Sequence, residues 1–392
     1  MADRKFGSKG MAEKFPWSKS DLRFMDLAFA EARKVKGKTL PNPAVGAVLV
    51  KAGKVVGKGG TRPAGQSHAE VVALSEAGAK ARGSILYVTL EPCCHHGRTP
   101  PCTLAVIAAG VKEVVIAAKD ANPVVGGKGI QALRRAGILV RLGLRAEEAA
   151  AFYRGFFFRI QNGRPLILLK IAQSVDGRIN ARPGEETPIT GEESKAWVHA
   201  LRAHVDAVLI GGRTLRVDDP KLTPRKVAGP VPEAVVLSRR GPFPPNAHLF
   251  AKGRPAKTVV VCESDRDLPR WVDRVLLSPT STKRRIPLQE KTSQSASKTR
   301  DKDRVLATLL ALFKDRGYHS VMVEGGRELW SLFLNAGLWD SLYILTAPIV
   351  LPEGERWDAE LAQDWGKSLK FRNFASFGRD YWVDFGNSES NG

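Results

Sequence analysis

Cysteine is scarce in this sequence, with only four among 392 residues. Three of the four, Cys93, Cys94 and Cys102, cluster in one short stretch. A disulfide framework would spread cysteines along the chain, so this pattern argues against a disulfide-stapled secreted protein and favours a reducing setting. The fourth, Cys262, falls in the apolar run TVVVC and is predicted to be a buried strand residue.

Long apolar runs are also missing. No stretch approaches the roughly 20 apolar residues of a transmembrane helix. Residues 1–20 are charged and lack the apolar core of a secretory signal, so we predict a disordered tail there. The remaining composition, 43% hydrophobic and 26% charged, is typical of a folded soluble protein. These features predict a cytoplasmic protein without a membrane partner.

Negative charge is in deficit, because 61 Lys and Arg residues face 40 Asp and Glu residues, a net charge of +21. Such a charge attracts polyanions or phosphorylated substrates. Basic charge without interleaved aromatic residues or a nucleic-acid motif does not identify a nucleic-acid binder. We therefore expect a phosphorylated substrate and no nucleic acid.

The order of apolar patterns predicts two α/β domains. Helical and strand patterns alternate over residues 21–160, and a second alternating series covers residues 161–386. Strands that alternate with helices form an α/β layer with a largely parallel sheet. Within the second series, residues 279–304 are polar and rich in Ser, Thr and Lys without an apolar period, which predicts a mobile surface insertion.

The cysteine cluster indicates a metal site. A catalytic zinc site uses three protein ligands and keeps a fourth position for water. His68 and Glu70 stand two residues apart at the predicted start of a helix, and Cys93 follows a predicted strand. This arrangement matches the zinc deaminase signature, H-x-E followed by P-C-x-x-C, except that the second gap is longer here. Adjacent Cys93 and Cys94 cannot easily both bind one tetrahedral ion.

Three strings make the resemblance specific. TLPNPAVGAVLV, SHAEVVAL and YVTLEPCCHHGRTPPC resemble the deaminase domain of the bifunctional riboflavin-biosynthesis deaminase/reductases, whose fold is α/β/α and cytidine-deaminase-like. The resemblance implies one Zn²⁺ per chain bound by His68, Cys93 and Cys102. It assigns Glu70 as the proton shuttle and leaves Cys94 as a bystander.

The same resemblance implies a substrate-binding set in the deaminase domain. In the family a histidine usually occurs near Thr61, and its absence here affects part of the substrate contact. Arginine suits a phosphate because a guanidinium can bind oxyanions in a bidentate manner. The residues that match substrate-facing positions are Asn42, His95, Arg98, Asp120 and Asn122.

The second half contains a strand, SVMVE, that runs through two glycines into a helix, a turn that can meet a phosphate. LKIAQSVDGRI, DAVLIGGRTLRVDDPKLTPR and VEGGRELWSLFLNAGLWDSLYI resemble the family's reductase domain, which has a dihydrofolate-reductase-like α/β fold and uses NADPH. The resemblance implies NADPH contacts at Ala172, Pro188, Thr214, Asp218, Gly325 and Gly326. It implies substrate contacts at Lys170, Glu186, Arg202, Leu222, Arg225 and Glu324.

These expectations add up to a bifunctional enzyme. A zinc-dependent deamination of a phosphoribosylaminopyrimidine would precede an NADPH-dependent reduction of its ribose. Glu186 and Pro188 stand where the family commonly has Ser and Trp, so a deaminase with a degenerate reductase domain is one alternative. A nucleic-acid-directed zinc deaminase is the other, and salt-dependent binding to RNA or DNA would support it. The family tends to oligomerise, so a homo-oligomer is a further expectation.

Overall fold

The computed structural model describes residues 17–277, 293–359, 361 and 365–388. The chain divides into two compact units, Met1–Gln161 and Asn162–Gly392. Most of the predicted tail lies outside the described residues, as do residues 279–292 of the predicted insertion. Among the described residues, no helix combines the length and apolar character that crossing a membrane requires.

The first unit alternates helices and strands in the predicted order. Its elements are α1 (Lys19–Val35), β1 (Gly46–Lys51), β2 (Lys54–Gly60), α2 (Ala69–Ala77), β3 (Ile85–Leu90), α3 (Cys102–Ala108), β4 (Glu113–Ala118), α4 (Lys128–Arg135), β5 (Leu139–Leu142) and α5 (Ala146–Asn162).

Helix α1 begins inside the stretch predicted to be a disordered tail. The Ser18 hydroxyl accepts from the Asp21 backbone N–H at 3.0 Å, and the Asp21 carboxylate accepts from the Ser18 backbone N–H at 3.0 Å. This reciprocal capping box satisfies two helix-end donors and starts the helix at Lys19. Ser18 is therefore the cap, and Asp21 is the third helical residue.

The sheet of the first unit has the strand order β2-β1-β3-β4-β5. Strands β3, β4 and β5 are parallel, whereas β1 is antiparallel to both β2 and β3. The expectation of a largely parallel sheet is thus wrong for this unit. The tight hairpin that links β1 to β2 forces antiparallel pairing, because parallel neighbours need a longer crossover.

The second unit contains the larger sheet. Its elements are β6 (Leu166–Ser174), α6 (Glu192–His204), β7 (Ala207–Gly211), α7 (Gly212–Asp218), β8 (Glu233–Leu237), β9 (Thr258–Cys262), β10 (Asp273–Leu276), α8 (Ser293–Arg316), β11 (Ser320–Gly325), α9 (Arg327–Asn335), β12 (Ser341–Ala347), β13 (Leu369–Phe377) and β14 (Asp380–Asn387).

Helix α8 includes residues 293–304, the second part of the predicted insertion. The expected loop is therefore helical over this part. Its polar composition hid the helix from a search for apolar periodicity. The Arg304 guanidinium of α8 contacts the Glu263 carboxylate at 2.9 Å, which links the helix to the residue after β9. It also contacts Asp301, one turn earlier in the same helix, at 2.7 Å.

The larger sheet runs in the order β10-β9-β8-β7-β11-β6-β12-β14-β13. It is parallel from β10 to β12, and the hairpin β13–β14 adds two antiparallel steps. Central strands such as β7 and β9 are buried almost throughout. Continuous runs such as AVLI and TVVV fit strands that helices cover on both faces. Cys262 lies in β9 and is fully buried, as predicted.

Candidate functional site

Three metal-binding side chains meet in the first unit. His68 immediately precedes α2, Cys93 follows β3, and Cys102 is the first residue of α3. One ligand atom of each lies within 4.8 Å of the others. The His68 Nδ1 atom is 3.3 Å from the Cys102 Sγ atom and 3.6 Å from the Cys93 Sγ atom. The structure thus brings together the three residues predicted as ligands.

The chemistry of this group fits a metal cation. A hydrogen bond from the Cys102 thiol lowers the pKa of Cys93 to about 4, and the same contact raises the pKa of Cys102. Two adjacent thiols therefore share one proton unless a cation neutralises both. One imidazole and two thiolates suit Zn²⁺, with a fourth position left for water. The Cys102 backbone N–H also donates to the Cys93 Sγ atom at 3.3 Å.

Close packing of α2 on β2 places His68 and Glu70 beside the cysteines. Two glycines of β2 make this approach possible. A Cβ atom on Gly57 would lie 2.3 Å from the Ala73 carbonyl oxygen, and one on Gly59 would lie 2.5 Å from the Val72 side chain. Any larger residue at these positions would push α2, and with it His68, away from the sheet.

Glu70 is the buried carboxylate of this centre. It is the second residue of α2, and its side chain is only 3% exposed. Burial, together with the nearby Cys93, raises the pKa of Glu70 to about 7. A carboxyl group with such a pKa can both accept and donate a proton near neutral pH. Cys94, in contrast, lies outside the three-residue group.

Two of the three ligands, His68 and Cys93, line a cavity of about 240 Å³. Four predicted substrate-binding residues line it together with Glu70, namely Asn42, His95, Asp120 and Asn122. The fifth, Arg98, is exposed and does not line the cavity. The buried His95 Nδ1 atom has no hydrogen-bond partner among the described residues, so it is available to a ligand.

Thr61, near which the resemblance implies a histidine in other members, lies in the cavity wall. It is 2% exposed and lines the cavity. Its hydroxyl oxygen accepts from the Val45 backbone N–H at 3.2 Å, so the side chain is directed to the neighbouring strand. Thr61 therefore shapes the cavity wall, and its hydroxyl is engaged with the backbone.

Sequence reasoning missed Glu91. This carboxylate is 4% exposed and lines the cavity. It accepts hydrogen bonds from the backbone N–H groups of Asp120, Gly127 and Ile130, at 2.9–3.2 Å. Glu91 thereby holds the segment between β4 and α4 that carries Asp120 and Asn122. Its position in the same string as Cys93, directly after a buried strand, was the available signal.

We expect Glu91→Ala to loosen this segment. Three backbone N–H groups would lose a charged acceptor, which lowers the free energy of local opening by at least about 2 kcal/mol. Hydrogen exchange of the peptide 118–131 should accelerate roughly 30-fold, and the substrate KM of the deaminase should rise. Glu91→Gln keeps one acceptor oxygen and should show a smaller effect. Unchanged exchange in Glu91→Ala would contradict the role given to this carboxylate.

Two adjoining cavities, of about 360 and 390 Å³, lie in the second unit. They share walls and occupy the carboxyl ends of strands β6, β7 and β11. All six residues predicted to contact NADPH line the first cavity: Ala172, Pro188, Thr214, Asp218, Gly325 and Gly326. All six predicted substrate contacts line the second: Lys170, Glu186, Arg202, Leu222, Arg225 and Glu324.

A buried charge cluster sits where the two cavities meet. Arg202 of α6 and Glu324 of β11 form a two-pronged ion pair, with N–O distances of 2.6 and 2.5 Å. Although burial opposes it, the Arg202 guanidinium lowers the pKa of Glu324. Burial also lowers the pKa of Lys170, whose charge is partly stabilised by Glu324. The cluster presents two cations and one anion to a ligand.

The Gly325–Gly326 turn lies between β11 and α9. A Cβ atom on Gly325 would lie 2.9 Å from the Thr214 Oγ1 atom, so only glycine allows β11 and α7 to approach this closely. Gly326 has a φ of 99°, a conformation that glycine adopts without strain. Both glycines and Arg327, the first residue of α9, line the first cavity, and the start of a helix is a setting that suits an anion.

Several cavity residues were not predicted. Arg213 and Arg327 line the first cavity, and the Glu355 carboxylate lies 3.1 Å from Arg213 and 3.9 Å from Arg327. At the other end of the helix that carries Arg213, desolvation and the nearby Glu186 carboxylate raise the pKa of Asp218 to about 6. Sequence reasoning assigned no role to Arg213, Arg327 or Glu355, which become neighbours only through folding.

Sequence profiles of known families match both units. A profile described as the cytidine and deoxycytidylate deaminase zinc-binding region matches residues 18–118. A profile described as the RibD C-terminal domain matches residues 165–383. The first match contains all three residues of the metal-binding group. The second contains the residues around both cavities of the second unit.

Curated relatives match over most of their length. The riboflavin biosynthesis protein RibD of Aquifex aeolicus is 40% identical over 342 residues, which cover 85% of this chain and 88% of the relative. The protein of the same name from Escherichia coli is 37% identical over 344 residues, with coverages of 86% and 90%.

Solved structures agree with this assignment. Acinetobacter baumannii RibD superposes with a TM-score of 0.71 at 32% identity and covers 95% of this chain and 99% of its own. The diaminohydroxyphosphoribosylaminopyrimidine deaminase/5-amino-6-(5-phosphoribosylamino)uracil reductase of Thermotoga maritima also gives 0.71, at 30% identity, covering 93% of this chain and 98% of its own. The predicted two-domain α/β fold is confirmed. The chain belongs to the RibD family of riboflavin biosynthesis, with a zinc-binding deaminase domain followed by an NADPH-dependent reductase domain.

Proposed function

We propose that the chain deaminates 2,5-diamino-6-(5-phosphoribosylamino)pyrimidin-4-one and then reduces the ribose of the product to a ribityl chain. The single observation that carries the first step is the meeting of His68, Cys93 and Cys102 beside the buried Glu70. The name of the Thermotoga maritima relative supports the choice of substrate.

In the deaminase site, Glu70 moves the proton. Its carboxylate accepts a proton from the attacking water and returns it to the departing amine, which leaves as ammonia. Zn²⁺ bound by His68, Cys93 and Cys102 supplies the Lewis acidity that makes hydroxide available near neutral pH. Asn42, Asp120 and Asn122 offer polar groups to the pyrimidine ring, and the His95 Nδ1 atom offers another. The partly apolar cavity excludes competing water.

Arg98 has a separate proposed role, because it does not line the cavity. It lies in the exposed loop between Cys93 and Cys102. A guanidinium at the cavity rim can pair with the phosphate of a substrate whose ring is held inside. We therefore propose that Arg98 contacts the 5-phosphate.

In the reductase site, the buried cluster holds the substrate. NADPH supplies the hydride when bound, so the protein mainly positions and orients. Lys170 and Arg202 present positive charge, and the remaining lone pairs of Glu324 can accept from ribose hydroxyls. Ala172, Thr214 and the Gly325–Gly326 turn form the wall assigned to NADPH. Arg225 is exposed at the rim of the substrate cavity, where a cation suits the phosphate.

The reductase step is tested by supplying the deaminated intermediate with NADPH and following the loss of nicotinamide absorbance. We expect oxidation by the full chain and a rise of at least about 10-fold in the substrate KM of Glu324→Gln, since a charge-assisted hydrogen bond contributes roughly 1.5–3 kcal/mol. Glu353→Gln, at an exposed carboxylate outside both cavities, is the control. Absence of NADPH oxidation by the unmodified chain would leave the second domain as a scaffold.

We further propose that the chain forms a homo-oligomer through strand β13. This strand is the edge of the larger sheet, and it exposes Phe371 and Phe374 by 61% and 53%. An edge strand offers unpaired backbone N–H and C=O groups, and exposed aromatic residues on it add apolar surface for pairing with another strand. A second copy satisfies this edge by a two-fold antiparallel contact. Light scattering should show a dimer or larger species that dissociates in Phe374→Lys, while a monomeric unmodified chain would refute the proposal.

We also propose a cytoplasmic location. All four cysteines are unpaired, and two of them must stay reduced to act as thiolate ligands. A reducing compartment keeps such thiols available. Cell fractionation would check this, and recovery of the protein in an oxidising compartment would contradict it.

A further inference from the structure

A third cavity in the second unit, of about 310 Å³, lies away from the reductase site. Its wall includes Thr258 and Asp273, the first residues of β9 and β10. These strands are parallel to β7 and β8. The reductase cavities lie at the carboxyl ends of the strands, whereas this cavity lies at the amino ends of strands in the same sheet.

An arginine that forms no ion pair with the described residues is part of this cavity. Within the described part of the chain, the Arg254 guanidinium donates to the backbone carbonyls of Pro232, Ala256 and Lys257, at 2.5–3.0 Å. Its buried Nε atom has no hydrogen-bond partner among the described residues. Burial lowers the pKa of Arg254 to about 10. The positive charge is therefore partly desolvated, and the Glu233 carboxylate acts on it through space without forming an ion pair with it.

Two more cations line the same cavity. Lys252 and Lys257 form no ion pair with the described residues, and both side chains line the wall. The carboxylate on this wall, Asp273, is engaged by Arg316 at 2.6 Å. Three positive charges thus face one carboxylate that is already neutralised. Such a site lowers the free energy of a bound anion, most strongly one with several charged oxygens.

A tryptophan supplies a flat wall. The indole of Trp271 is 55% exposed although the hydrogen bond from its Nε1 atom to the Phe250 carbonyl, at 2.9 Å, fixes its orientation. The Lys252 Nζ atom lies over one face of the ring, 4.6 Å from its centroid, so a ligand ring would stack on the opposite face. An oriented, exposed indole beside cations is the combination that binds a planar ring carrying an acidic group, since stacking and charge act together.

We propose that this cavity binds a mononucleotide-sized ligand, with a planar ring on Trp271 and a phosphate among Lys252, Arg254 and Lys257. The volume lies at the lower end of the range of small-molecule sites, roughly 300–1,000 Å³. The site is separate from both proposed reactions, so it stands whether or not the reductase is active. The ligand would bind at the amino ends of the strands, whereas the reductase cavities lie at their carboxyl ends.

The test measures binding of adenosine 5′-monophosphate, adenosine and inorganic phosphate to the full chain by calorimetry, with NADP⁺ present in excess to fill the reductase site. We expect the monophosphate to bind more tightly than phosphate or adenosine alone. Lys257→Gln and Trp271→Leu should each weaken it at least 10-fold. Lys370→Gln, an exposed charge on β13 at the far end of the sheet, should leave it unchanged.

Each outcome decides the proposal. Arg254 is left intact because its carbonyl contacts hold the loop, and equal melting temperatures with equal NADPH affinity exclude misfolding of the variants. Absence of monophosphate binding would overturn the proposal. Equal affinity in the unmodified chain, Lys257→Gln and Trp271→Leu would place any bound ligand elsewhere. If Lys257→Gln weakens monophosphate binding but Trp271→Leu does not, the site binds simple anions, and the proposed stacking of a ring on Trp271 is refuted.

Discussion

Glu70→Gln should lower the deaminase turnover number by roughly 10²–10⁴-fold while the reductase activity stays unchanged. Glutamine has nearly the same shape and fills the same space beside α2. It cannot take up a proton from water or deliver one to a leaving amine. The buried carboxyl, with its pKa raised to about 7, is suited to both transfers. Loss of proton transfer, with binding preserved, predicts a fall in kcat with little change in KM.

Ammonia release and zinc content must be measured on the same sample. We expect one zinc ion per chain in Glu70→Gln, because Glu70 lies outside the ligand group. Glu76→Gln is the matched control, since Glu76 is an exposed carboxylate on the same helix and its replacement retains an acceptor for the Lys58 backbone N–H. Full deaminase activity in Glu70→Gln would refute the assigned role.

Cys93→Ser should empty the metal site. A serine hydroxyl stays protonated near neutral pH and cannot replace a thiolate ligand of zinc. The zinc-to-protein ratio should therefore fall from one to near zero after dialysis against a chelator, and deaminase activity should disappear with it. The reductase activity provides an internal reference, because its cavities are formed entirely by the second unit.

Cys94→Ser is the matched variant, one position along the chain. Cys94 does not belong to the group of three ligand atoms that lie within 4.8 Å of one another. Zinc content and deaminase turnover should both survive its replacement. Loss of zinc in Cys94→Ser, with retention in Cys93→Ser, would reverse the assignment and require a different arrangement of the loop between Cys93 and Cys102.

The local sequence was sufficient for several features. The spacing of His68 and Glu70 at a helix start follows from helix geometry, which places both at the first turn. The buried strand β9 was recognised from its continuous apolar run, TVVVC. In each case the pattern that made the prediction possible lies within a few neighbouring residues. Such patterns are local because helix geometry and the run of buried residues along a strand are set by residues close together in the chain.

Other features escaped prediction because they depend on distant partners. The hairpin β13–β14 was not assigned, since its outer strand is exposed and lacks a hydrophobic pattern. The antiparallel contact of β1 with β3 depends on pairing across the sheet and not on either strand alone. Helix α8 extends through a polar stretch whose composition indicated a loop.

The amino-acid sequence by itself determined the family, the two-domain α/β plan and the residue types available for zinc, NADPH and substrate. The tertiary structure alone decided which of these residues meet. Arg202 and Glu324 are 122 positions apart and pair only because α6 and β11 converge at one end of the sheet. Glu91 acts through three backbone donors far along the chain. Such contacts depend on strand order and packing, which no local pattern specifies.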